Sequence, residues 1–419
     1  MRALQKLTAH IIQAVKDLWW IGWRELRLTV RDQGVLIFFL LVPLAYPLVY
    51  AFIYTNEVIR DVPVAVVDDS RTSRSRLYLR HLDASPDVRI VSYCANMDEA
   101  RRLLRKREAY GIVYLPSNFN SELAKGHQSY VKVFCDMSGL LYYKALLAAN
   151  TYVSLDLNAR IKMQYQPGLT EEQEKVLTQP VAYEEVNLYN PQNGFAAFLI
   201  PAVLVLVVHQ TLILGIGLSA GTGRERNRFA ELVPVNRHYN GLLRIVFGKM
   251  LAYLLVYLPV ATYVLGIVPR LFRLNHIGAP ETLCTFVIPF LLATIFFAMT
   301  VSAVMRQRET CLLLVVFTSV PLLFISGISW PQSAIPVFWQ SLSYLFPSTF
   351  GINGYIRINS MGASLPQVAF EWYGLWAQTA FYFLTTCLVY RQQIITSRRR
   401  LAAAYKKKKA ALGTKAAEA

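Results

Sequence analysis

Charge is what this chain is short of. Only 16% of its 419 residues are Asp, Glu, Lys or Arg, against about 25% in an ordinary soluble protein. The deficit falls on the acids, with 26 Asp and Glu against 43 Lys and Arg and a formal net charge of +17. Cysteine is scarce too. Cys94, Cys135, Cys284, Cys311 and Cys387 form no C-x-x-C and no metal-ligand spacing, so no metal site is expected. No G-x-x-x-x-G-K-[ST] occurs, because Gly248-Lys249 lacks the upstream glycine and is followed by Met250. The chain therefore carries no P-loop for ATP. No H-E-x-x-H is present, and the six histidines are scattered. Gly217-Leu218-Ser219-Ala220-Gly221 spells G-x-S-x-G, yet a nucleophile elbow needs a strand, a sharp turn and a helix, and this serine ends an apolar run. A cleavable leader is not expected either, with no small-x-small site after the first apolar run at Tyr54–Glu57. Enzymatic chemistry on this chain is not expected.

What it has instead is apolar sequence in blocks. The residues are 54% hydrophobic and 13% aromatic, and two blocks organise the rest. Phe195–Ala220 and Ile245–Val268 each exceed the roughly 20 apolar residues that cross a bilayer core of about 30 Å. Between them lies a loop with Arg224, Arg226, Arg228, Arg237 and Arg244, and basic residues gathered at one mouth of two spans mark the cytoplasmic side. The net charge thus reads as topology, and nucleic acid is not an expected partner.

Residues 1–33 read as a cytoplasmic amphipathic interfacial helix. Leu4, Leu7, Ile11, Val15 and Leu18 share one face, with Gln13, Lys16 and Asp17 largely elsewhere. Trp19, Trp20 and Trp23 suit the headgroup layer, and Arg24, Arg27 and Arg31 form a basic stripe. The first span, 34–54, carries Pro43 and Pro47 and should be kinked. From 55 to 191 the pattern changes to short β-rich runs, Val62–Val67, Val88–Tyr93, Tyr110–Leu115 and Tyr130–Phe134, separated by helical stretches and followed by a long helix over Leu140–Gln164. Such alternation predicts a mainly parallel α/β domain with right-handed crossovers. One crossing from an inside N-terminus puts it outside, where Cys94 and Cys135 could meet an oxidising compartment, although free thiols are favoured. Val181–Tyr189 and Asn190-Pro191 lead back to the membrane.

Beyond the central hairpin, spans are expected at Leu283–Val304, Thr310–Ile328 and Trp372–Tyr390. A tight cytoplasmic turn lies at Met305–Glu309, and residues 329–370 read as short external or re-entrant helices. The tail, 392–419, carries Arg398–Arg400 and Lys406–Lys409, which can meet anionic lipid or act as a solvated topology signal. The expected fold is therefore an integral membrane α-helical protein with six transmembrane helices and an extracytoplasmic α/β domain inserted between the first and second. Both termini and every dense basic cluster fall in the cytoplasm. Polar His209, Gln210 and Thr211 inside the second span must face other helices or a cavity. Tyr253 and Tyr257 on the third could line a conduit or pack.

In this order the parts resemble a permease subunit of the type 2 ATP-binding cassette exporters, over nearly the whole chain. The resemblance rests on Ser326-Gly327-Ile328 followed by Pro331, Pro336 and Pro347 near the fifth span. In the soluble segment it rests on Val64-Ala65-Val66-Val67-Asp68 with Ser70 and Ser73, Leu115-Pro116 with Phe119, and Asn190-Pro191, which are similar to the drug-export branch with a large external domain. It implies export of a hydrophobic or amphipathic substrate, a second permease chain (a homodimer or a paralogue), and separate cytoplasmic ATPase subunits that hold the ATP and Mg. It implies no cofactor on this chain, leaves room for a periplasmic adaptor, and points to the bacterial inner membrane. It places ATPase coupling on the loop 221–244, through Arg224, Glu225, Arg226, Phe229, Glu231 and Leu232, and on the interfacial helix through Trp23, Arg24, Arg27 and Arg31. It adds Ser326, Gly327 and Pro331 to His209, Gln210, Thr211, Tyr253 and Tyr257 as pathway candidates. The loop departs from the family, which usually carries an acidic pair and Gly-Thr-Leu-Glu there. The competing class is a membrane sensor whose external domain binds a ligand and signals through the helices, although the chain offers no cytoplasmic output domain.

Overall fold

The computed structural model describes residues 2–54, 56–165, 168, 170–178, 181, 186–191, 193–225, 238, 241–305 and 307–417. Two compact units emerge, Asn56–Asn187 and the remainder, Met1–Thr55 with Leu188–Ala419. The second unit begins with α1 (Arg2–Arg31) and α2 (Gln33–Ile53). Asp32 separates them by capping α2, its carboxylate accepting the Gly34 and Val35 amides at 3.0 and 3.3 Å. A π-helical turn, Ile37–Leu41, precedes Pro43 in α2. Proline has no N–H for the turn before it, and the ladder widens there.

In the α/β unit, β1 (Val62–Asp68), α3 (Ser73–Asp83), β2 (Val88–Tyr93), α4 (Met97–Arg105), β3 (Gly111–Leu115), α5 (Phe119–Ala124), β4 (Lys132–Cys135), α6 (Leu140–Tyr165) and α7 (Glu171–Thr178) follow in order. The sheet runs β2-β1-β3-β4. β1 pairs in parallel with β2 and β3, as crossover helices require, and β4 closes one edge antiparallel to β3. β1 is almost continuously apolar because both its faces are covered. Val64 and Val66 pack with Tyr78, Leu82 and Leu146, while Ala65 and Val67 pack with Ala100 and Ile112. Its register shifts between Val64 and Ala65, next to Pro63, which has no ladder donor. All five cysteines are free thiols. Of the segment Val181–Tyr189 that leads back to the membrane, residues 182–185 lie outside the described residues.

The helical unit continues with α8 (Phe195–Glu225), α9 (Leu242–Leu271), α10 (Pro280–Val301), α11 (Arg308–Ile325), α12 (Val337–Ser343), α13 (Pro347–Met361) and α14 (Ala369–Ala417). Among the described residues, five helices are long and apolar enough to cross a membrane: α2, α8, α9, α10 and α11. The sixth expected crossing, Trp372–Tyr390, lies in α14, whose apolar stretch is diluted by Glu371, Gln378, Thr379, Thr385 and Thr386. α14 nevertheless packs along α10.

α8 is the axis of the bundle, ringed by α2, α10, α11 and α13 and buried over nearly its whole length. Gly215 admits the Phe39 ring of α2, which a Cβ would strike. The segment expected as external or re-entrant, 329–370, divides in two. α12 presents Val337, Phe338 and Trp339 outward, whereas α13 is buried because Gly351 and Gly354 take the Phe290 and Phe286 rings.

Candidate functional site

α1 carries an exposed apolar face and a buried stripe that includes two acids. Ile11 and Val15 are exposed on the face read as amphipathic; the side chains of Leu4 and Leu7 lie outside the described residues. The buried stripe steps by helical turns through Asp17, Ile21, Glu25 and Thr29, all at most 5% exposed. A buried carboxylate is costly unless paired, and both acids are. Asp17 accepts from Arg244 Nη1 at 2.6 Å, from His238 Nδ1 at 2.7 Å and from Gln13 Nε2 at 2.8 Å. Glu25 Oε1 accepts from Lys249 Nζ at 2.8 Å and from the Tyr253 hydroxyl at 2.6 Å.

Between the two pairs the helices nearly touch. A Cβ on Gly248 would stand 2.8 Å from Ile21 Cβ, and one on Gly22 would stand 3.2 Å from Gly248 O. Those two glycines let α1 lie directly on α9. A third pair, Arg308 Nη2 to Asp32 Oδ1 at 2.7 Å, ties the α1–α2 junction to α11. Gly34 leaves room for it, since a Cβ there would stand 2.5 Å from the guanidinium. Burial opposes ionisation of Asp17, but the hydrogen bonds from His238 and Arg244 outweigh it and hold its carboxyl below the ordinary 3.8. Asp32 is likewise lowered, by Arg308 and the Val35 amide against burial.

A cavity of about 790 Å³ opens where these elements meet the end of α8, lined by Glu25, Arg31, Asp32, Ser219, Lys249 and Arg308 among others. Beside it, Arg224 Nη1 donates to the carbonyls of Ser302 and Met305, fastening the end of α8 to the turn after α10. Glu225 is exposed at the last residue of α8.

A family model described as ABC-2 family transporter protein matches residues 34–388. The chain belongs to this family. The permease is also 23% identical to the probable multidrug ABC transporter permease YbhR of Escherichia coli strain K12, over 86% of its own length and 93% of that protein. To the linearmycin resistance permease protein LnrN of Bacillus subtilis strain 168 it is 22% identical, over 81% and 89% respectively. The family match begins at Gly34, so α1 and its acidic stripe lie ahead of it.

The permease brings only some of the sequence-derived candidates together. The expected coupling loop, 221–244, is shorter than read: residues 221–225 extend α8 and Leu242–Arg244 begin α9. The helix persists because Gly221 and Gly223 are buried against neighbours and Arg224 is anchored. Arg226, Phe229, Glu231 and Leu232 lie outside the described residues. Trp23 is exposed with the Arg27 guanidinium 5.9 Å over its ring, and Arg31 lines the cavity. Arg24 is half-buried.

Of the pathway candidates, Tyr253 belongs to the ionic stripe and Tyr257 packs edge-on against Phe39. Thr211 bonds back to Val207 O of its own helix at 2.7 Å. His209 stacks on Phe297, and neither its ring nitrogens nor the Gln210 amide has a partner among the described residues. Ser326 and Gly327 form the turn after α11, with Gly327 at φ 93° and the Ser326 carbonyl accepting from Asn353. Pro331 precedes a short 3-10 turn. These residues do not converge on one site.

Reading the sequence missed Asp17, Glu25, Asp32, Lys249 and Arg308 as a set. The available signal was two acids eight residues apart on one helix face of an acid-poor chain.

Proposed function

We propose that the permease is the membrane-spanning subunit of an ATP-driven exporter that moves a hydrophobic or amphipathic substrate out of the cytoplasm or inner leaflet. Two permease chains span the bacterial inner membrane with two ATPase subunits beneath them, both termini cytoplasmic, six crossings each, and the α/β unit outside. The observation that carries this reading is the buried acid–base stripe joining α1 to α9 and α11 beside the end of α8. A push from an ATPase on α1 or on Glu225 reaches α9 and α11 through hydrogen-bonded charges rather than through sliding apolar contacts. Such a rigid-body tilt can open a path between two permeases, provided the substrate binds the two states unequally. The names of the relatives, multidrug and linearmycin resistance permeases, support an amphipathic substrate.

Co-expression with a cognate ATPase tests the reading. The two should copurify, inverted vesicles should take up an amphipathic dye only with ATP, and Glu225→Arg should weaken ATPase capture while leaving membrane insertion intact. Recovery of the permease without any ATPase, and vesicles indifferent to ATP, would refute it.

A further inference from the structure

The α/β unit holds a pocket of its own, of about 820 Å³, at the C-terminal ends of β1 and β2. It lies on the β2 side of β1, between the ends of these two strands and α3. The volume suits a small molecule, for which roughly 300–1,000 Å³ is usual.

The lining is basic. Arg71, Arg76 and Arg80 lie around it with Tyr93, and Asp68 is the one acidic side chain in the wall. Asp68 is already engaged. Its Oδ1 accepts the Ser70 and Arg71 amides at 3.1 and 3.0 Å, and its Oδ2 accepts the Ser75 hydroxyl at 2.7 Å. Asp83, nearby on α3, accepts the Ile90 amide at 2.8 Å. The first amides of α3 are satisfied by the Thr72–Ser75 capping box, so the attraction comes from side chains and not from the helix end. None of the three arginines forms an ion pair among the described residues. Arg76 and Arg80 stand one turn apart on α3, a like-charged spacing that destabilises an isolated helix. Tyr93 is exposed at the rim.

We propose that this pocket binds a small organic anion through a phosphate or carboxylate group, with Arg76 and Arg80 gripping the oxyanion, Arg71 meeting it from the β1–α3 turn, and the Tyr93 ring covering the organic part. Guanidinium forks match the paired oxygens of both groups, which a lysine point charge does not. The inference rests on the α/β unit alone, so it stands or falls independently of ATP-driven export.

The test is calorimetric titration of the full chain in phosphatidylcholine nanodiscs with inorganic phosphate and with phenyl phosphate. Saturable binding is expected, tighter for phenyl phosphate. Arg76→Gln and Arg80→Gln should each weaken it about tenfold, the lysine variants less, because a charge-assisted pair at a surface is worth about one decade. Arg101→Gln, on the exposed side of α4, should change nothing. Matching thermal unfolding of the variants and the parent separates binding from folding. Repeating the titration in phosphatidylglycerol nanodiscs distinguishes sources: suppressed phenyl phosphate binding assigns the site to a lipid headgroup, and unchanged binding assigns it to a soluble anion. No saturable binding of either probe at low salt, or equal binding by parent and folded arginine variants, overturns the proposal.

Discussion

Replacing Lys249 by methionine isolates the contribution of the ionic stripe. The ammonium and the Glu25 carboxylate are each 4% exposed in their side chains and 2.8 Å apart. Lys249→Met therefore leaves a buried carboxylate with the Tyr253 hydroxyl. Removing one partner of a buried pair costs about 3–5 kcal/mol. If that cost falls on the docking of α1, the undocked population rises at least about 100-fold, since 1.4 kcal/mol is a decade. Maleimide labelling of an Ile21→Cys reporter reads this population directly, because Ile21 is fully buried on the face of α1 that meets Gly248 and reacts only when α1 lifts. The native cysteines are replaced in the background. Labelling should accelerate at least about 100-fold in Lys249→Met. It should return to within about tenfold of the parent in Glu25→Gln/Lys249→Met, because a pair replaced on both sides leaves no stranded charge. Equal labelling in Lys249→Met and the parent would refute the claim that charge pairing holds α1 down. So would a double variant as loose as the single.

Three further outcomes follow from the same geometry. Gly248→Leu should loosen α1 by about 1–3 kcal/mol, the usual penalty of overpacking, seen as faster labelling at Ile21→Cys with the α/β unit unchanged. Gly111→Val should destabilise the α/β unit alone, because its side chain meets Leu146 and lies 3.2 Å from Phe134 O; limited proteolysis should cut within 56–187 first. Asp17 is held below 3.8 when folded, so its contribution is present above that value and lost as pH falls through the lowered one. α1 should therefore stay docked from neutral pH to about pH 4 and loosen below it, and Asp17→Asn should remove that acid step from the labelling profile.

Apolar runs and the alternating strands were legible because each follows from a local period: continuous Val and Leu in α8, and Val64-Ala65-Val66-Val67 in a strand buried on both sides. Helix ends were less so. α8 runs on to Glu225 because the Arg224 side chain reaches carbonyls of Ser302 and Met305, some 78 and 81 residues away. α13 is buried because Gly351 and Gly354 accept two phenylalanine rings from α10, a pairing no local pattern announces. The stripe was hidden for a related reason. Nothing local gives a reason to bury the acids Asp17 and Glu25 unless their partners are known, and those lie 227 and 224 residues along the chain. Long-range partners, not local propensity, turned a polar face into a buried one.

The central claim is that α1 and α9 act as one lever. Spin labels at Val15 and Leu255, both exposed on their helices, report the distance between them in the assembled transporter, nucleotide-free and trapped with ATP. That distance should stay within about 2 Å, the scale of a helix shift inside one rigid body, while the distance between Leu255 labels on two permease chains changes. If α1 separates from α9 when ATP binds, while the inter-chain distance stays fixed, the lever does not exist.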